Sequence, residues 1–325
     1  MSLAITMGDP NGVGPEIILN AFINSQLPED CFVIGDLSVL QFCSDTLGLK
    51  VNINSSDDIP EIIAGTLNML DMRMLERVDI TPGRMNERAG HAAREYVIKA
   101  ARFALDKRIE GMVTLPVNKE AVCLSHPGFT GHTELIAGMC GQENYTMMLS
   151  SKSLAVTHVS THVSMAKAVD MVKKDRVYNV IKLTHNALAS FICSPRIAVA
   201  GLNAHAGEHG LFGSEEENEI KPAVNQARAE GLEVIGPLPP DTIFLKAQRG
   251  EFDGVVCMYH DQGHIPMKLL DFDGGVNITL GLPIIRTSVD HGTAYDIAYK
   301  GIASTKSLIQ AIDFARKMAG RFTMC

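Results

Sequence analysis

The pattern that most constrains the fold lies between Asn86 and Ile109, where small apolar residues recur at helical spacing. Gly111 and the short apolar run Met112–Leu115 follow directly, so a helix leads into a strand. Helices that alternate with short apolar strands are typical of a parallel sheet, and the sequence therefore predicts the α/β fold class. The helix face consists of Ala89, Ala92, Ala93, Val97, Ala100, Ala101 and Ala104.

Short apolar runs bounded by glycine or polar residues continue this alternation along the chain. The predicted strands are 3–7, 31–34, 51–53, 145–149, 154–158, 196–202, 255–258, 276–280 and 284–285. The predicted helices are 37–49, 165–172, 176–190 and 307–318, and residues 55–81 show no regular pattern. A chain of 325 residues with this alternation is expected to form two α/β lobes or one large domain.

The composition argues against several classes of protein. A net charge of −8 disfavours binding to nucleic acid or to an anionic membrane. No stretch approaches the roughly 20 apolar residues that span a bilayer, and the first residues lack the pattern of a signal peptide. The seven cysteines are scattered without a CxxC pair, which argues against a disulfide framework or a thiolate zinc site and for a reducing compartment. We expect a cytoplasmic globular protein.

Polar residues follow apolar runs throughout the segment Gly254–Ala294. The run Val255–Met258 gives way to Tyr259–His264, which holds two histidines, an aspartate and a glutamine. Asn277 interrupts a second run, and Arg286 follows a third. Ligands of open α/β sheets bind beyond the carboxyl ends of the strands, so the sequence predicts an active site in this segment.

Two further segments could bind an anion. The glycine-rich segment Gly8–Glu16 joins the first predicted strand to a helix and could hold a phosphate. A tight turn explains the glycines equally well, because their spacing is neither GxGxxG nor that of a P-loop. Lys119 and Gly131–Glu134 lie at a strand end and a helix start, where the alternatives are a solvated lysine and a capping histidine. The acidic run Glu215–Glu219 is expected to be solvated surface.

Histidines occur in three HxxxH pairs, each after an apolar run: His158/His162, His205/His209 and His260/His264. The second pair spells HxxEH, an inverted zinc-protease pattern, but Gly207 and Gly210 and the preceding strand argue against a metal-binding helix there. One histidine from each strand end would instead supply three neutral imidazoles to a catalytic metal with open coordination positions. The alternative for each histidine is a structural role.

The motifs GDPNGVGPE, LPVNK, GHTE, STH, GLNAHAGE, YHDQG and VNITLGLPIIRTSVDHGTA occur in this order along the chain. Together they resemble the 4-hydroxythreonine-4-phosphate dehydrogenase (PdxA) family, and the resemblance covers nearly the whole of this chain. The resemblance implies a two-lobed α/β/α fold similar to isocitrate and isopropylmalate dehydrogenases. Residues 1–125 and 295–325 would form one lobe and 126–294 the other, with the active site in the cleft between them. It also implies a homodimer with the active site at the subunit interface.

The resemblance implies roles for individual residues. The ligands of a divalent metal (Zn²⁺, Mg²⁺ or Co²⁺) would be His162, His205 and His260. The substrate would contact His132, Thr133, Lys268, Asn277 and Arg286. NAD, or alternatively NADP, would be bound by Asp290, His291, Gly292, Thr293, Ala294 and Asp296. Asp261 and Lys268 are candidate catalytic groups, although Asp261 could instead orient His260.

The implied reaction is the metal-assisted, NAD-dependent oxidation and decarboxylation of a 4-phosphorylated 3-hydroxy acid, as in pyridoxal phosphate biosynthesis. The chain departs from the family pattern at Asn11 (commonly Ala), Tyr299 (commonly Gly), 207–210 and 264–266. Its HDQGHIP form is similar to a branch that acts on 4-phospho-D-threonate or 4-phospho-D-erythronate, which is the alternative function. A phosphate acyltransferase-like enzyme and a non-catalytic metabolite-binding protein are alternatives of other classes, and dependence on metal and NAD would separate them.

Overall fold

The computed structural model describes residues 2–272 and 274–320 and divides the chain into two units. Unit 1 runs to Glu143 and resumes at Leu282–Ala315. Unit 2 comprises the described residues of Asn144–Gly281 together with residues 316–320. The described residues contain twelve strands and eleven α-helices.

The strands are β1 (Leu3–Thr6), β2 (Cys31–Gly35), β3 (Ile53–Ser56), β4 (Leu67–Asp71), β5 (Gly111–Thr114), β6 (Thr146–Ser150), β7 (Ala155–His158), β8 (Ile197–Ala200), β9 (Val234–Leu238), β10 (Gly254–Cys257), β11 (Val276–Leu280) and β12 (Ile285–Val289). The helices are α1 (Gly14–Ile23), α2 (Leu37–Leu47), α3 (Glu87–Leu105), α4 (Lys119–Ser125), α5 (His132–Met139), α6 (Met165–Met171), α7 (Lys174–Ala189), α8 (Lys221–Ala229), α9 (Ile243–Gln248), α10 (His260–Leu270) and α11 (Lys306–Met318).

Unit 1 is built on six parallel strands in the order β3-β4-β2-β1-β5-β12. Helix α3 packs on the three central strands β2, β1 and β5. Its alanine-rich face is buried, which allows the helix to lie close to the sheet. Asn86 caps its start, because the side-chain Oδ1 accepts the N–H of Ala89 at 2.7 Å.

Unit 2 contains strands in the order β11-β6-β7-β10-β8-β9, of which the last four are parallel and β6 is antiparallel to both of its neighbours. Alternate residues of a strand face opposite sides of the sheet. On one side Val156 and Val255 pack with Ile243 of α9 and Met267 of α10. On the other side Thr157 meets α7. Helices therefore cover both faces, and the predicted α/β class is confirmed.

The boundaries between the units differ from those implied by the resemblance. They fall after Glu143 and Gly281, whereas the implied boundaries follow residues 125 and 294. Helix α5 packs on α3, and β12 pairs with β5. Because of these contacts, His132 in α5 and Arg286 in β12 belong to unit 1.

Most predicted elements agree with the structure to within a few residues. Strands β4 and β9 were not predicted, and β9 contains Gly236 and Pro237, which are both rare in strands. The polar segment after β10 is a helix that begins at His260, although Gly263 and Pro266 disfavour a helix there. No helix in the described part of the chain is long and apolar enough to cross a bilayer.

The close packing of α3 on α4 depends on Gly90. A Cβ at this position would overlap the backbone carbonyl of Ala121, which cannot move without shifting α4. We expect Gly90→Ala to lower the free energy of unfolding by about 1–3 kcal/mol, the usual range for overpacking. Urea-induced unfolding of the purified protein measures this change.

Gly138 provides the matched control, because it also lies in a helix but, among the described residues, no atom outside its own helix backbone and chain neighbours lies within 4 Å of a Cβ built there. Gly138→Ala should leave the stability unchanged or raise it by up to about 1 kcal/mol through helix propensity. Equal effects of the two substitutions would contradict the role assigned to Gly90.

Candidate active site

Three neighbouring strands of unit 2 end side by side, and a histidine follows each of them. Strands β7, β10 and β8 are adjacent and parallel, with His158 paired to Cys257. His162 follows β7, His260 follows β10 and His205 follows β8. The strands are therefore arranged as the three-histidine hypothesis requires.

Gln262 and Ser160 connect these strand ends. Gln262 Oε1 accepts the N–H of Met258 at 2.6 Å, and its Nε2 donates to the carbonyl oxygen of Gly201 at 2.7 Å. The Ser160 hydroxyl donates to the carbonyl oxygen of Met258 at 3.1 Å. Both side chains are buried, where hydrogen bonds are electrostatically stronger than in water. The ends of β7, β10 and β8 are thus fixed to one another.

His158, the last residue of β7, lies beneath α10. It is on the same side of the sheet as Val156, and its Nε2 lies 3.2 Å from Nδ1 of His264. Gly263 permits this approach, because a Cβ there would lie 2.6 Å from His158 Nε2. Burial, with a contribution from the nearby His264, lowers the pKa of His158 to about 3. The ring is therefore neutral at pH 7.

The first turn of α10 carries two imidazoles on one face. His260 and His264 are stacked with ring centroids 3.6 Å apart, and the ring of His162 lies 5.6 Å from that of His260. His260 Nδ1 lies 2.7 Å from a carboxylate oxygen of Asp261. Such a pairing fixes the tautomer of a histidine and leaves Nε2 available to a metal. His162, His260 and Asp261 line a cavity of about 490 Å³.

His205 lies in a turn with left-handed backbone. The φ angles of residues 205–209 are 52°, 55°, 76°, 40° and 57°. This conformation costs a residue other than glycine roughly 1–2 kcal/mol. The ring of His205 lies 6.5 Å from that of Phe212. Among the described residues, the ligand atoms of His162, His205 and His260 do not form a group within 4.8 Å of one another.

A buried carboxylate holds this turn in place. Glu216 is 1% exposed, and its Oε1 accepts the N–H groups of Leu202 and Asn203, both at 2.7 Å. Its Oε2 accepts the side-chain N–H of Asn203 at 2.9 Å. A Cβ on Gly207 would lie 2.7 Å from Oε2. The prediction that the acidic run is solvated is therefore wrong for Glu216, whose burial is compensated by these hydrogen bonds.

Unit 1 contains a separate group of charged side chains around Arg286. Arg286 is 2% exposed and donates from Nη2 to the hydroxyl of Thr114 at 2.8 Å. Burial lowers its pKa to about 10, which leaves the side chain charged at pH 7, and the carboxylate of Glu134 acts against this shift. The sequence places Arg286 after a strand, but it is the second residue of β12, where neighbouring strands fix it.

His132 and Thr133 open α5 beside this arginine and are half-buried. His132 Nε2 is buried and has no hydrogen-bond partner among the described residues. Burial, with contributions from the positive charges of Arg286 and Lys119, lowers the pKa of His132 to about 3. Two cations beside a neutral donor suit a phosphate or a carboxylate. Lys119 acts on His132 by its charge, but its side chain is exposed, as the alternative of a solvated lysine requires.

Two other predicted substrate contacts lie in unit 2. Lys268 follows His264 by one turn of α10, and its ammonium lies 5.3 Å from the centroid of the Phe272 ring. Asn277 lies in β11 and donates from Nδ2 to the sulfur of Met147 at 3.1 Å. Its buried Oδ1 has no hydrogen-bond partner within the described residues. Both side chains present polar groups that a ligand could engage.

The predicted nucleotide-binding segment Asp290–Asp296 contacts the glycine-rich segment Gly8–Glu16. The N–H of Val13 donates to the carbonyl oxygen of Thr293 at 3.0 Å. A Cβ on Gly12 would lie 2.9 Å from the same oxygen. Of the two interpretations of the glycine-rich segment, these contacts favour the tight turn, because the glycine and the N–H group are used within the chain.

The opposite side of the nucleotide-binding segment is open. His291 and Asp296 are exposed, and in the described part of the chain no atom beyond the adjacent residues lies within 4 Å of a Cβ built on Gly292. Ala294 has a φ of 43°, so the chain turns sharply there. The segment is fixed on one side and available to a ligand on the other.

Two departures from the family pattern make contacts within unit 1. Asn11 Oδ1 accepts the N–H of Thr81 at 2.7 Å, and its carbonyl oxygen accepts the N–H of Gly83 at 2.8 Å. Tyr299 has a φ of 60°, which favours glycine, and its hydroxyl donates to the carbonyl oxygen of Pro10 at 2.6 Å. Both residues stabilise the loop after β1.

Sequence reasoning missed the positioning roles of three residues. Gln262 had a signal, since it lies between two histidines in the YHDQG motif. Glu216 was obscured by the carboxylates around it, and Thr114 by its apolar strand. Their roles depend on contacts across 13 to 172 residues of chain, which no local pattern reveals.

The low pKa of His132 predicts a pH dependence of stability. Above pH 6.5 the ring is neutral in the folded and the unfolded chain and has no effect. As the pH falls from 6.5 towards 3, only the unfolded chain gains a proton, so the folded state loses up to about 1.4 kcal/mol per pH unit. His132→Gln should make the decline in unfolding free energy less steep, as measured by urea unfolding at a series of pH values.

His209→Gln is the control, because the side chain of His209 is 97% exposed. It should leave the pH dependence of the unfolding free energy as it is in the parent protein. A His132 variant with the same pH dependence as the parent would show that His132 is not a buried neutral group.

Comparison with known proteins gives matches along nearly the whole chain. The family model described as Pyridoxal phosphate biosynthetic protein PdxA matches residues 28–315. A 4-hydroxythreonine-4-phosphate dehydrogenase of Geobacter metallireducens is 44% identical over 322 residues, covering 98% of this chain and 95% of the relative. A D-threonate 4-phosphate dehydrogenase of Salmonella typhimurium is 43% identical over 323 residues, covering 98% and 99%.

The crystal structure of a 4-hydroxythreonine-4-phosphate dehydrogenase from Klebsiella pneumoniae is also similar. It is 40% identical, with a TM-score of 0.89 and coverage of 98% of this chain and 99% of that chain. The match extends through both units and includes the strand ends that carry the histidines. The resemblance in the sequence motifs is thereby confirmed, and the chain belongs to the PdxA family.

Proposed function

We propose that this protein is a dehydrogenase that requires NAD and a divalent metal, oxidises the C3 hydroxyl of a 4-phosphorylated 3-hydroxy acid and releases its carboxylate as CO2. The observation that carries the proposal is the alignment of three histidine-bearing strand ends in unit 2. The names of the relatives add dehydrogenase chemistry on phosphorylated acids. The first candidate substrate is 4-hydroxythreonine 4-phosphate.

The donor chemistry of unit 2 fits a divalent transition metal. His162, His205 and His260 offer imidazole nitrogens, which suit Zn²⁺ and Co²⁺ better than Mg²⁺. Asp261 supports this assignment because it pairs with His260 Nδ1 and leaves Nε2 for the metal. When bound, the metal would supply Lewis-acid polarisation and NAD would supply the hydride acceptor.

The side chains of each unit have distinct roles in this proposal. Arg286 and Lys119 hold the phosphate, Arg286 as a planar donor and Lys119 as a point charge. His132, being neutral, donates a hydrogen bond from Nε2 without adding charge. Lys268 neutralises the substrate carboxylate from α10. Asp261 orients His260 through its Oδ1 oxygen.

The open side of the segment Asp290–Asp296 is the proposed adenosine-binding surface. Exposed His291 and Asp296 offer polar groups there, and the space beside Gly292 admits a flat ring. The contact of Thr293 with Val13 keeps the segment in one conformation, which lowers the entropy cost of binding.

A second candidate substrate, 4-phospho-D-threonate, is favoured by the HDQGHIP form of the motif and by the name of the Salmonella typhimurium relative. His264 distinguishes this form. Its Nδ1 lies 3.2 Å from His158 Nε2 and 3.1 Å from the carbonyl oxygen of His260. His264 therefore belongs to the same group of rings as a proposed metal ligand and can influence which substituent is accepted at C2. 4-Phospho-D-erythronate presents the same groups in a different configuration.

We also propose that the protein acts as a homodimer. Leu269, Phe272 and Ile265, on and after α10, are 82%, 73% and 57% exposed. Apolar side chains gathered on one surface are typical of protein interfaces. A second copy that covers this surface would lie close to the histidines of α10.

The proposal predicts that chelator-stripped protein forms no NADH and that Zn²⁺ or Co²⁺ restores the reaction. NADH absorbance would be followed with 4-phosphohydroxy-L-threonine, 4-phospho-D-threonate and 4-phospho-D-erythronate in separate reactions. Turnover of the first supports the first candidate substrate, and turnover of only the other two supports the second. Metal-independent reduction of NAD, or phosphate-dependent acyl transfer without NAD, would contradict the proposal.

Glu216 is expected to affect turnover without touching the substrate. Glu216→Gln removes the charge that accepts three hydrogen bonds and should relax the strained turn that carries His205. We expect kcat to fall by about tenfold or more, within the range found for groups that orient metal ligands. Excess Zn²⁺ should restore part of this loss, because the variant weakens metal binding but still contains all three proposed histidine ligands.

Glu217→Gln is the matched control, since Glu217 is a neighbouring carboxylate that pairs with Lys221 on the surface. It should retain the kcat of the parent protein. A loss of the same size in both variants would assign the effect to the acidic run Glu215–Glu219 as a whole instead of to the turn.

A further inference from the structure

A second group of metal-binding side chains lies in unit 1, outside the site described above. It consists of His91, Glu95 and His126, whose candidate ligand atoms all lie within 4.8 Å of one another. Within the described part of the chain, no other group of three such residues meets this distance. The three residues are half-buried and belong to neither the histidine-bearing strand ends nor the group around Arg286.

The local structure explains why these residues meet. His91 and Glu95 are separated by one turn of α3 and therefore share a face of the helix. His126 immediately follows the last residue of α4. Gly90 permits the close contact of the two helices, because any side chain there would overlap the backbone of α4. The group thus joins two helices that already pack tightly.

The two imidazoles lie face to face. Their ring centroids are 5.1 Å apart and the ring planes differ by only 3°. Two protonated rings in this arrangement would repel each other. His91 Nδ1 is buried and has no hydrogen-bond partner among the described residues, which is costly unless a ligand uses it.

We propose that His91, Glu95 and His126 bind a divalent transition-metal ion, with Zn²⁺ as the best match. Two imidazoles and one carboxylate are a common donor set for this ion, with distances of roughly 2.0–2.2 Å. The fourth position would be taken by water from the cavity of about 600 Å³ that His91 and His126 line. The ion would connect α3 to the end of α4 and stabilise unit 1.

Binding requires a small closure of the group. Ligand atoms around a tetrahedral Zn²⁺ are roughly 3.4 Å apart, given the usual bond lengths. Rotation of these half-buried side chains supplies the difference from the 4.8 Å limit. Arg94 pairs with Glu95 at 2.6 Å, and the Ser125 hydroxyl lies 3.0 Å from His126 Nδ1. Arg94 and Ser125 thus hold Glu95 and His126 in place when no metal is bound.

Zinc stoichiometry tests the proposal in the full-length protein. Chelator-stripped parent protein would be titrated with Zn²⁺ by calorimetry, and bound metal would be counted after dialysis. We expect one zinc equivalent from this group in addition to any held by unit 2. His126→Asn and Glu95→Gln should each remove that equivalent while NADH formation stays at the parent level. His260→Asn should leave it in place.

Glu87→Gln is the matched control, because Glu87 lines the same cavity but does not belong to the donor group. It should retain the zinc equivalent. Unchanged zinc stoichiometry in both ligand variants would overturn the proposal, and so would an equal loss of zinc in Glu87→Gln. The proposal would also be overturned if the His260→Asn variant bound no zinc at all. If His126→Asn fails to fold, Glu95→Gln provides the test, since Glu95 is only half-buried. Zinc bound at this group by a protein without dehydrogenase activity would support the inference and contradict only the proposed function.

Discussion

The histidine-bearing end of unit 2 depends on the hydrogen bonds of one amide side chain. Gln262 joins the end of β10 to the end of β8 through bonds to Met258 and Gly201. An amide can do this because it donates and accepts at once, which a carboxylate of the same length cannot. The segments that follow these strands begin from fixed positions, so the sheet determines where their histidine side chains lie. Any ligand held there would be positioned by the core.

Much of this arrangement was predictable, because a parallel α/β sheet gives each strand end a common direction. Largely apolar runs of four to seven residues marked β7, β8 and β10, and the histidines after them were visible in the sequence. The α/β class followed from the alternation of such runs with helical spacing, most clearly in α3. The order of the strands was not readable, since pairing is decided by contacts between distant residues.

The parts that escaped prediction share a physical cause. The helix that begins at His260 contains Gly263 and Pro266, and the close approach of His158 explains the glycine. Glu216 is buried in a run of carboxylates because backbone N–H groups of a distant turn require an acceptor. The unit boundaries depend on the packing of α5 against α3. Each case is decided by tertiary contacts, which override local preference.

The contact between Asp290–Asp296 and the loop after β1 has a consequence for synthesis. The hydroxyl of Tyr295 donates to the buried carboxylate of Asp9 at 2.6 Å across 286 residues of sequence. Asp9 is synthesised long before Tyr295, so its hydrogen-bond donor is absent until nearly the whole chain has been made. Until then the loop after β1 lacks the partner that compensates the burial of its charge. A nascent or truncated chain that ends before Tyr295 would therefore expose this loop to proteases and chaperones, and completion of unit 1 would be among the last events of folding.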